Sequence, residues 1–358
     1  MNRADSDVVE TAAGARDIRR SLDQILRWQA RMMRRRDFIV LFGAAVGSPR
    51  VLRAQQATPV IGFLHSASAG PSASRVSAFR QGLRDTGYVE GQNVAVEYRW
   101  ADNRYEQLPV LASDLIERRV SAIVAGGATN GPLAVKRATS MIPIIFAIGG
   151  DPIAGGLISS LNPRSGNVTG TTFFGGHMGP KRLEVLRELV PAATSLALLV
   201  NPDNINITKT ELIYVAEAAR ARGMGFHAAY ARNEQGLEIA FATLVQERVG
   251  ALILSTEALF NSRIEQIVSL AARHAIPTIY FEREFVDAGG LISYGASISN
   301  SYRQAGNYVG RILNGAKPYE LPVVQPTRFD LVINLKTART LGLAVPRSFL
   351  ALANEVIE

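Results

Sequence analysis

The chain has 358 residues, 47% of them apolar, and it carries a formal net charge of +8 with no cysteine. This length and apolar content are sufficient for two ordinary domains. The absence of cysteine excludes a disulfide framework, thiolate metal sites, a cysteine nucleophile and a cysteine that carries a lipid anchor.

The positive charge is concentrated at the N-terminal end. Residues 1–54 contain 11 arginines and 6 acidic residues, whereas residues 55–358 contain 28 basic and 25 acidic residues. The second part has no run of lysine and arginine interleaved with aromatic residues. The sequence therefore indicates no nucleic-acid partner.

Residues 34–54 have the pattern of a twin-arginine export signal. Arg35 and Arg36 are followed by a spacer and Phe38. The apolar run that follows has about ten residues, too few for a bilayer span of about twenty. Ala54 places a small residue before a predicted signal-peptidase site. The pattern predicts export to the periplasm; the alternative is a basic surface helix that continues into a buried one.

Residues 1–33 precede this signal, although an export signal is expected close to the start of a protein. Met32 and Met33 stand directly before the arginines. We therefore expect translation to start there and the upstream residues to be an over-extended gene prediction. The alternative is a real but dispensable amphipathic extension.

Strands and helices are predicted to alternate from residue 58 onward. Continuous apolar runs are typical of strands that are covered on both faces. Helices are indicated by apolar residues that share one face, such as Val76, Phe79 and Leu83. The first series comprises predicted strands at 60–64, 94–98, 122–125 and 143–148, and predicted helices at 75–86, 105–118 and 132–139.

A second series follows a loop-rich zone at residues 151–170. It comprises predicted helices at 181–189, 211–222, 237–248, 264–274 and 302–314, and predicted strands at 196–200, 226–230, 251–254, 278–281 and 291–294. The two series predict an α/β fold with two doubly wound parallel-sheet lobes, a hinge and an interlobe cleft. Ligands bind such sheets outside the carboxyl ends of the strands, and we expect the hinge to close over a solute.

No enzyme motif is present in the sequence. It lacks the G-x-S-x-G elbow, the phosphate-binding G-x-x-x-x-G-K-[ST] loop, H-E-x-x-H and G-x-G-x-x-G. The four histidines are scattered without the spacing of metal ligands. We therefore predict no catalysis, no cofactor and no metal site.

Several predicted strands end in residues suited to ligand contact. His65 follows the first strand, where a ligand contact and a surface or hinge histidine are both consistent with the sequence. The glycine-rich turn at 126–131 directs backbone N–H groups towards the cleft, which suits an anionic ligand group. Glu257 and Glu282 follow strands of the second series. Each either binds a ligand ammonium by a charge-assisted hydrogen bond or is a solvated loop acid.

Other positions have two interpretations as well. Asp151 is either a ligand contact at the rim or an N-cap that precedes a proline. Phe173 either stacks on a ligand ring or packs between the lobes. Asn201 and Asn204 are either turn residues or amide contacts to a ligand.

Three blocks of sequence resemble the ABC transporter substrate-binding proteins of the tryptophan/tyrosine-binding type. They are GYVEGQNV at residues 87–94, DPIAGGLI with the following LNP and GNVTG at residues 151–170, and LVINLKTA at residues 331–338. The likeness extends over about residues 58–343. It implies a type I periplasmic-binding fold in which the chain crosses between the lobes three times. We accordingly expect lobe 1 to contain residues 55–165 and 289–320, and lobe 2 to contain residues 166–288 and 321–358.

The resemblance also implies a site and a function. The pocket of the family is built from loops that follow successive strands. The ligand-binding residues expected here are His65, Ser66, Gly127, Ala128, Thr129, Gly150, Asp151, Phe173, Asn201, Asn204, Thr256, Glu257 and Glu282.

The implied function is that of a soluble, monomeric periplasmic solute-binding component of an ABC importer. It would deliver an amino acid, aromatic in characterised relatives, or a related carboxylate to membrane permease subunits that a cytoplasmic ATPase drives. The alternative is a periplasmic sensor that presents its bound state to a membrane receptor kinase.

Overall fold

The computed structural model describes residues 58–162, 164–174 and 177–358. The chain separates into two units, Met1–Ala57 and Thr58–Glu358, and the described residues all belong to the second. The predicted extension at residues 1–33 and the predicted export signal, with Arg35, Arg36 and Phe38, lie outside the described residues. Within the described ranges, no helix is long and apolar enough to cross a membrane.

The described strands form two sheets. Their bounds are β1 Val60–His65, β2 Ala95–Trp100, β3 Ala122–Gly127, β4 Ile144–Ile148, β5 Val168–Thr172, β6 Ser195–Val200, β7 Gly225–Tyr230, β8 Ala251–Leu254, β9 Thr278–Tyr280, β10 Ile292–Gly295, β11 Asp330–Asn334 and β12 Glu355–Ile357. The first sheet has the order β2-β1-β3-β4-β5 and the second has the order β12-β11-β10-β9-β8-β6-β7.

Helices cover both sheets. Their bounds are α1 Ala73–Arg84, α2 Leu108–Glu117, α3 Asn130–Ala138, α4 Gly179–Leu189, α5 Ile205–Arg220, α6 Glu234–Gln246, α7 Ala258–Asn261, α8 Ile264–Arg273, α9 Glu284–Asp287, α10 Ile298–Leu313, α11 Leu335–Thr340 and α12 Arg347–Leu350. Short 3₁₀ turns lie at Gly70–Ser72, Tyr105–Gln107 and Pro318–Glu320.

The predicted α/β class with two parallel-dominated sheets is confirmed. Every pairing in the first sheet is parallel. The second sheet departs from the prediction at one pairing, because β11 runs antiparallel to β10. The chain reaches β11 from lobe 1, where Val324 bridges to Thr171 of β5. It therefore enters the second sheet from the cleft side and runs in the opposite direction to β10.

The sheets divide the chain at different points from those we expected. β5 pairs with β4 in the first sheet, so the first crossover follows Thr172 rather than residue 165. β10 pairs with β9 in the second sheet, so residues 292–295 belong to lobe 2 although 289–320 was expected in lobe 1. The first crossover was expected too early because β5, with sequence VTGTT, lacks the apolar run by which strands were recognised.

Successive side chains of a strand belong to different hydrophobic cores, which explains why both faces of each sheet are covered. In β1, Ile61 and Phe63 join a core with α1 and α10, whereas Leu64 joins a separate core with α2 and α3. In β6, alternate residues likewise pack on α4 and α5 or on α6 and α8. Successive side chains of a strand point to opposite faces, so a strand that is apolar throughout must be buried on both.

Close packing of α1 on α10 holds the second crossover against lobe 1. A Cβ atom built on Gly82 would lie 1.8 Å from the carbonyl oxygen of Arg303, and one on Gly306 would lie 2.1 Å from that of Phe79. Only glycine permits backbones to approach this closely. The contact fixes α10 on lobe 1, and α10 carries Tyr302 into the cleft.

Candidate functional site

The carboxyl ends of strands from both sheets meet around a cavity between the lobes. Five of the residues expected from the sequence line it: His65, Gly127, Phe173, Thr256 and Glu257. Residues that the sequence did not indicate complete the lining: Arg75, Gly149, Ile207, Ala258, Asn261, Ile298 and Tyr302. The cavity is therefore built from both lobes and from two of the crossovers.

The lobes are closed over this cavity. Its volume is about 20 Å³, which is enough for about one water molecule. Sites for small organic ligands measure roughly 300–1,000 Å³. A solute larger than water can therefore enter only when the lobes separate or the lining side chains move.

One buried ion pair crosses the cleft. Arg75, in the first turn of α1, donates from Nη2 to Oε2 of Glu282, which follows β9, at 2.8 Å. The two side chains are 6% and 5% exposed. With its amide oriented to satisfy both partners, Asn261 donates to Glu282 at 3.0 Å and accepts from Arg75 at 2.9 Å.

Burial and the Arg75 guanidinium have opposite effects on the pKa of the Glu282 carboxyl group. Burial raises the pKa of Glu282, the Arg75 guanidinium opposes the rise, and the nearby Glu284 adds to it. The Arg75–Glu282 ion pair joins lobe 1 to lobe 2.

A second interlobe contact centres on Glu257, the N-cap of α7. The Tyr105 hydroxyl of lobe 1 donates to Oε1. Within lobe 2, Asn201 Nδ2 and the Leu259 amide also donate to Oε1, each at 3.3 Å. Asn204 Nδ2 donates to Oε2 at 2.6 Å. Burial raises the pKa of Glu257, and these donors oppose the rise.

His65 is held as a neutral ring at the end of β1. The Ala67 amide donates to Nδ1 at 3.0 Å, so the ring proton is assigned to Nε2, which lies 2.8 Å from the Tyr302 hydroxyl. Burial and, to a smaller extent, the Arg75 guanidinium lower the pKa of His65 to about 3. His65 is therefore a neutral donor rather than a cation.

The remaining predicted residues lie behind or beside the cavity. The Ser66 hydroxyl accepts from the Ala128 amide at 2.7 Å and joins two strand-end loops. Thr129 is fully buried, and its hydroxyl has no hydrogen-bond partner among the described residues. The Gly150 carbonyl accepts from the Thr172 hydroxyl at 3.1 Å.

Asp151 and the two asparagines have local roles in this structure. The Asp151 carboxylate accepts from the Ile153 and Ala154 amides at 2.7 and 3.1 Å, and the residues that follow form a turn rather than the helix that an N-cap would begin. Asn201 and Asn204 contact the cavity indirectly, by holding Glu257.

A buried ion pair lies beneath the second lobe's side of the cleft. Arg182 of α4 and Glu211 of α5 approach to 3.5 Å with exposures of 1% and 0%. Burial raises the pKa of Glu211 to about 7, and Arg182 opposes the rise. Arg182 also donates to the Tyr294 carbonyl at 3.0 Å, so the pair ties two helices to the end of β10.

Sequence reasoning missed Arg75, Tyr105, Asn261 and Tyr302, because it considered only loops that follow strands. Arg75 nevertheless carries a signal: with Phe79 and Leu83 it forms an i, i+4, i+8 row on the buried face of α1. A charged residue in such a row must find a buried partner. Tyr302 follows Ile298 at the same spacing on α10.

Comparison with known proteins relates this chain to substrate-binding proteins. The model of the ABC transporter substrate binding protein family matches residues 66–357. A tyrosine-binding protein of Clostridioides difficile (strain R20291) is 26% identical over 265 residues, covering 74% of this chain and 75% of the relative.

Solved structures share the fold. The ABC domain from Streptococcus pneumonia in complex with L-Trp has a TM-score of 0.76 and 22% identity, covering 84% of this chain and 100% of that one. The ligand-free, open structure of CD0873 from Clostridium difficile, a substrate binding protein with adhesive properties, has a TM-score of 0.60 and 24% identity, covering 84% and 99%.

The neutral state of His65 predicts a pH dependence of stability. The unfolded chain binds a proton at His65 below about pH 6.5, whereas the folded chain does not until about pH 3. The unfolded state therefore binds more protons in this window, and the free energy of unfolding falls by about 1.4 kcal/mol per pH unit as the pH decreases.

Urea unfolding of the wild type and His65→Gln between pH 7 and pH 4 measures this contribution. The stability advantage of the wild type should shrink below pH 6.5, because glutamine does not titrate. His274→Gln controls for the loss of a histidine outside the cavity. Parallel pH profiles for the wild type and His65→Gln would contradict the buried, neutral assignment.

Proposed function

Because the chain belongs to the family of ABC transporter substrate binding proteins, we propose that it is the periplasmic solute-binding component of an ABC importer. Its two lobes close over one small solute and present it to a membrane permease. The observation that carries this proposal is the interlobe cavity, whose lining joins the strand ends of both lobes. The chain itself is not an enzyme.

The contacts across the cleft are suited to opening and closing. They are polar, and they include Arg75 with Glu282 and Tyr105 with Glu257. Asn130 Nδ2 also reaches the carbonyl of Asp203 at 3.3 Å at the rim. Water can replace each of these polar contacts when the lobes part.

We propose an amino acid as the solute. The C. difficile relative binds tyrosine, and the S. pneumonia domain was solved with L-Trp. In this chain, Phe173, Ile207, Ile298 and Tyr302 supply apolar and aromatic surface around the cavity, and Glu257 supplies a carboxylate. A side chain with a ring would pack on the first set while the ammonium group meets Glu257.

A thermal-shift screen with the 20 L-amino acids and a panel of small aromatic and aliphatic acids tests solute binding. A ligand that binds only the folded state stabilises it by about 2.7 kcal/mol at 100 times its Kd. We expect L-tyrosine or L-tryptophan to raise Tm and the D-enantiomers to do so less. A hit among the other compounds with none among the amino acids would contradict the amino-acid assignment, and no hit at all would contradict solute binding by this cavity.

The periplasmic location is proposed from the signal at residues 34–54. Replacing Arg35 and Arg36 by lysine should leave the protein in the cytoplasm, because the export receptor reads the arginine pair as an address. Lysine at Arg50 and Arg53 is the matched control, since it changes two arginines outside the pair. Cell fractionation with immunoblotting measures the outcome, and an unchanged periplasmic yield of the first variant would contradict the twin-arginine assignment.

A further inference from the structure

Three ionised groups line or border the closed cavity, and only two of them balance each other. Arg75 and Glu282 form an ion pair at 2.8 Å and leave no net charge. Glu257 is the third group, and it is 3% exposed. Among the described residues, no Lys, Arg or His forms an ion pair with it within 4 Å. With His65 neutral, this part of the cleft carries one uncompensated negative charge.

The neighbours of Glu257 favour its ionised form. Tyr105 and Asn204 each donate to it, as do Asn201 and the Leu259 amide. A carboxylate has about four acceptor positions on its two oxygens, whereas a protonated carboxyl group gives one of them to its own hydrogen. These four donors therefore stabilise the carboxylate of Glu257 against the effect of burial, which raises its pKa.

Oε2 of Glu257 has room for a second hydrogen bond. Oε1 accepts from three groups, whereas Oε2 accepts only from Asn204. A buried carboxylate gains most from a cationic donor, because its charge is poorly solvated in the closed cleft. Glu257 also lines the cavity, so an incoming group can reach this carboxylate from the solute side.

The positive group of the cleft, by contrast, already has a carboxylate partner. Glu282 and the Asn261 carbonyl both engage Nη2 of Arg75, and the Pro71 carbonyl accepts from Nη1 at 3.3 Å. A solute carboxylate at Nη2 of Arg75 would have to compete with Glu282. It would also add a second uncompensated negative charge.

We infer that Glu257 is an ammonium-binding site and that the cleft selects its solute by a protonated amine, for which a carboxylate on the solute is not required. The inference rests on the proposed function and narrows the class of solute. A compound that carries an amine beside an aromatic ring neutralises the cleft, a zwitterionic amino acid leaves its net charge unchanged, and an aromatic acid increases the negative charge. The order of affinity should be amine, then amino acid, then acid.

Three compounds with the same 4-hydroxyphenyl group separate these cases. They are tyramine, L-tyrosine and 3-(4-hydroxyphenyl)propanoate, measured by isothermal titration calorimetry on the full-length mature protein at pH 7. We expect tyramine to bind at least as tightly as L-tyrosine. The propanoate should bind at least about 30-fold more weakly than tyramine, as expected when a buried charge meets no opposite charge.

Glu257→Gln provides the matched variant, because it removes the charge at nearly constant volume. The affinity for tyramine should fall at least about 30-fold and the preference for the amine over the acid should be lost. Glu265→Gln, which changes an exposed carboxylate on α8, is the control and should bind like the wild type. The wild-type series decides the inference even if Glu257→Gln does not fold.

Each contrary result has a distinct meaning. If L-tyrosine binds and tyramine does not, the solute carboxylate is required and the inference is wrong, while the proposed function stands. If the propanoate binds as tightly as tyramine, Arg75 rather than Glu257 selects the solute and the inference is again wrong. If none of the three binds, the inference is wrong, and the amino-acid screen decides the proposed function separately.

Discussion

The Arg75–Glu282 ion pair is the interaction on which the closed cleft depends. Both side chains are almost completely buried and come from different lobes, so closing the lobes removes both charges from water at once. Dehydration of two ions costs several kcal/mol each, and their attraction offsets that cost only when the geometry is good. The pair therefore adds little to stability but fixes the position in which the lobes meet. Asn261 completes the geometry by contacting both partners.

The same constraint organises the rest of the site. His65 is buried beside Arg75 and therefore remains neutral, and its hydrogen bond to Tyr302 is compatible with that state. Glu257 then remains as the charged group in the cleft without a protein counterion among the described residues, and a solute can supply one. Its four neutral donors come from both lobes. The carboxylate proposed to bind the solute therefore also forms an interlobe hydrogen bond, with Tyr105, when the lobes are closed. Recognition and closure are in this way coupled through one carboxylate.

The fold class could be predicted from the sequence because buried parallel strands have continuous apolar sequences, which here lie between amphipathic helices. The lobe boundaries could not, since β5 consists of Val, Thr and Gly, and the direction of β11 depends on which lobe the chain arrives from. The strand-end loops supplied part of the cavity lining, including His65 and Glu257. Arg75 and Tyr302 project from helices that start beyond those loops, and Tyr105 pairs with a residue 152 positions away, which no local pattern encodes.

The central claim, that the lobes close over a small solute, is tested most directly by a distance measurement across the cleft. The chain has no cysteine, so Ile153→Cys at the rim of lobe 1 and Ile205→Cys at the rim of lobe 2, 45% and 68% exposed, take spin labels selectively. Electron–electron double resonance should give a longer, broader distance distribution without solute, and a single shorter distance when a solute that raises Tm is present at saturation. An identical distribution with and without such a solute would contradict the account.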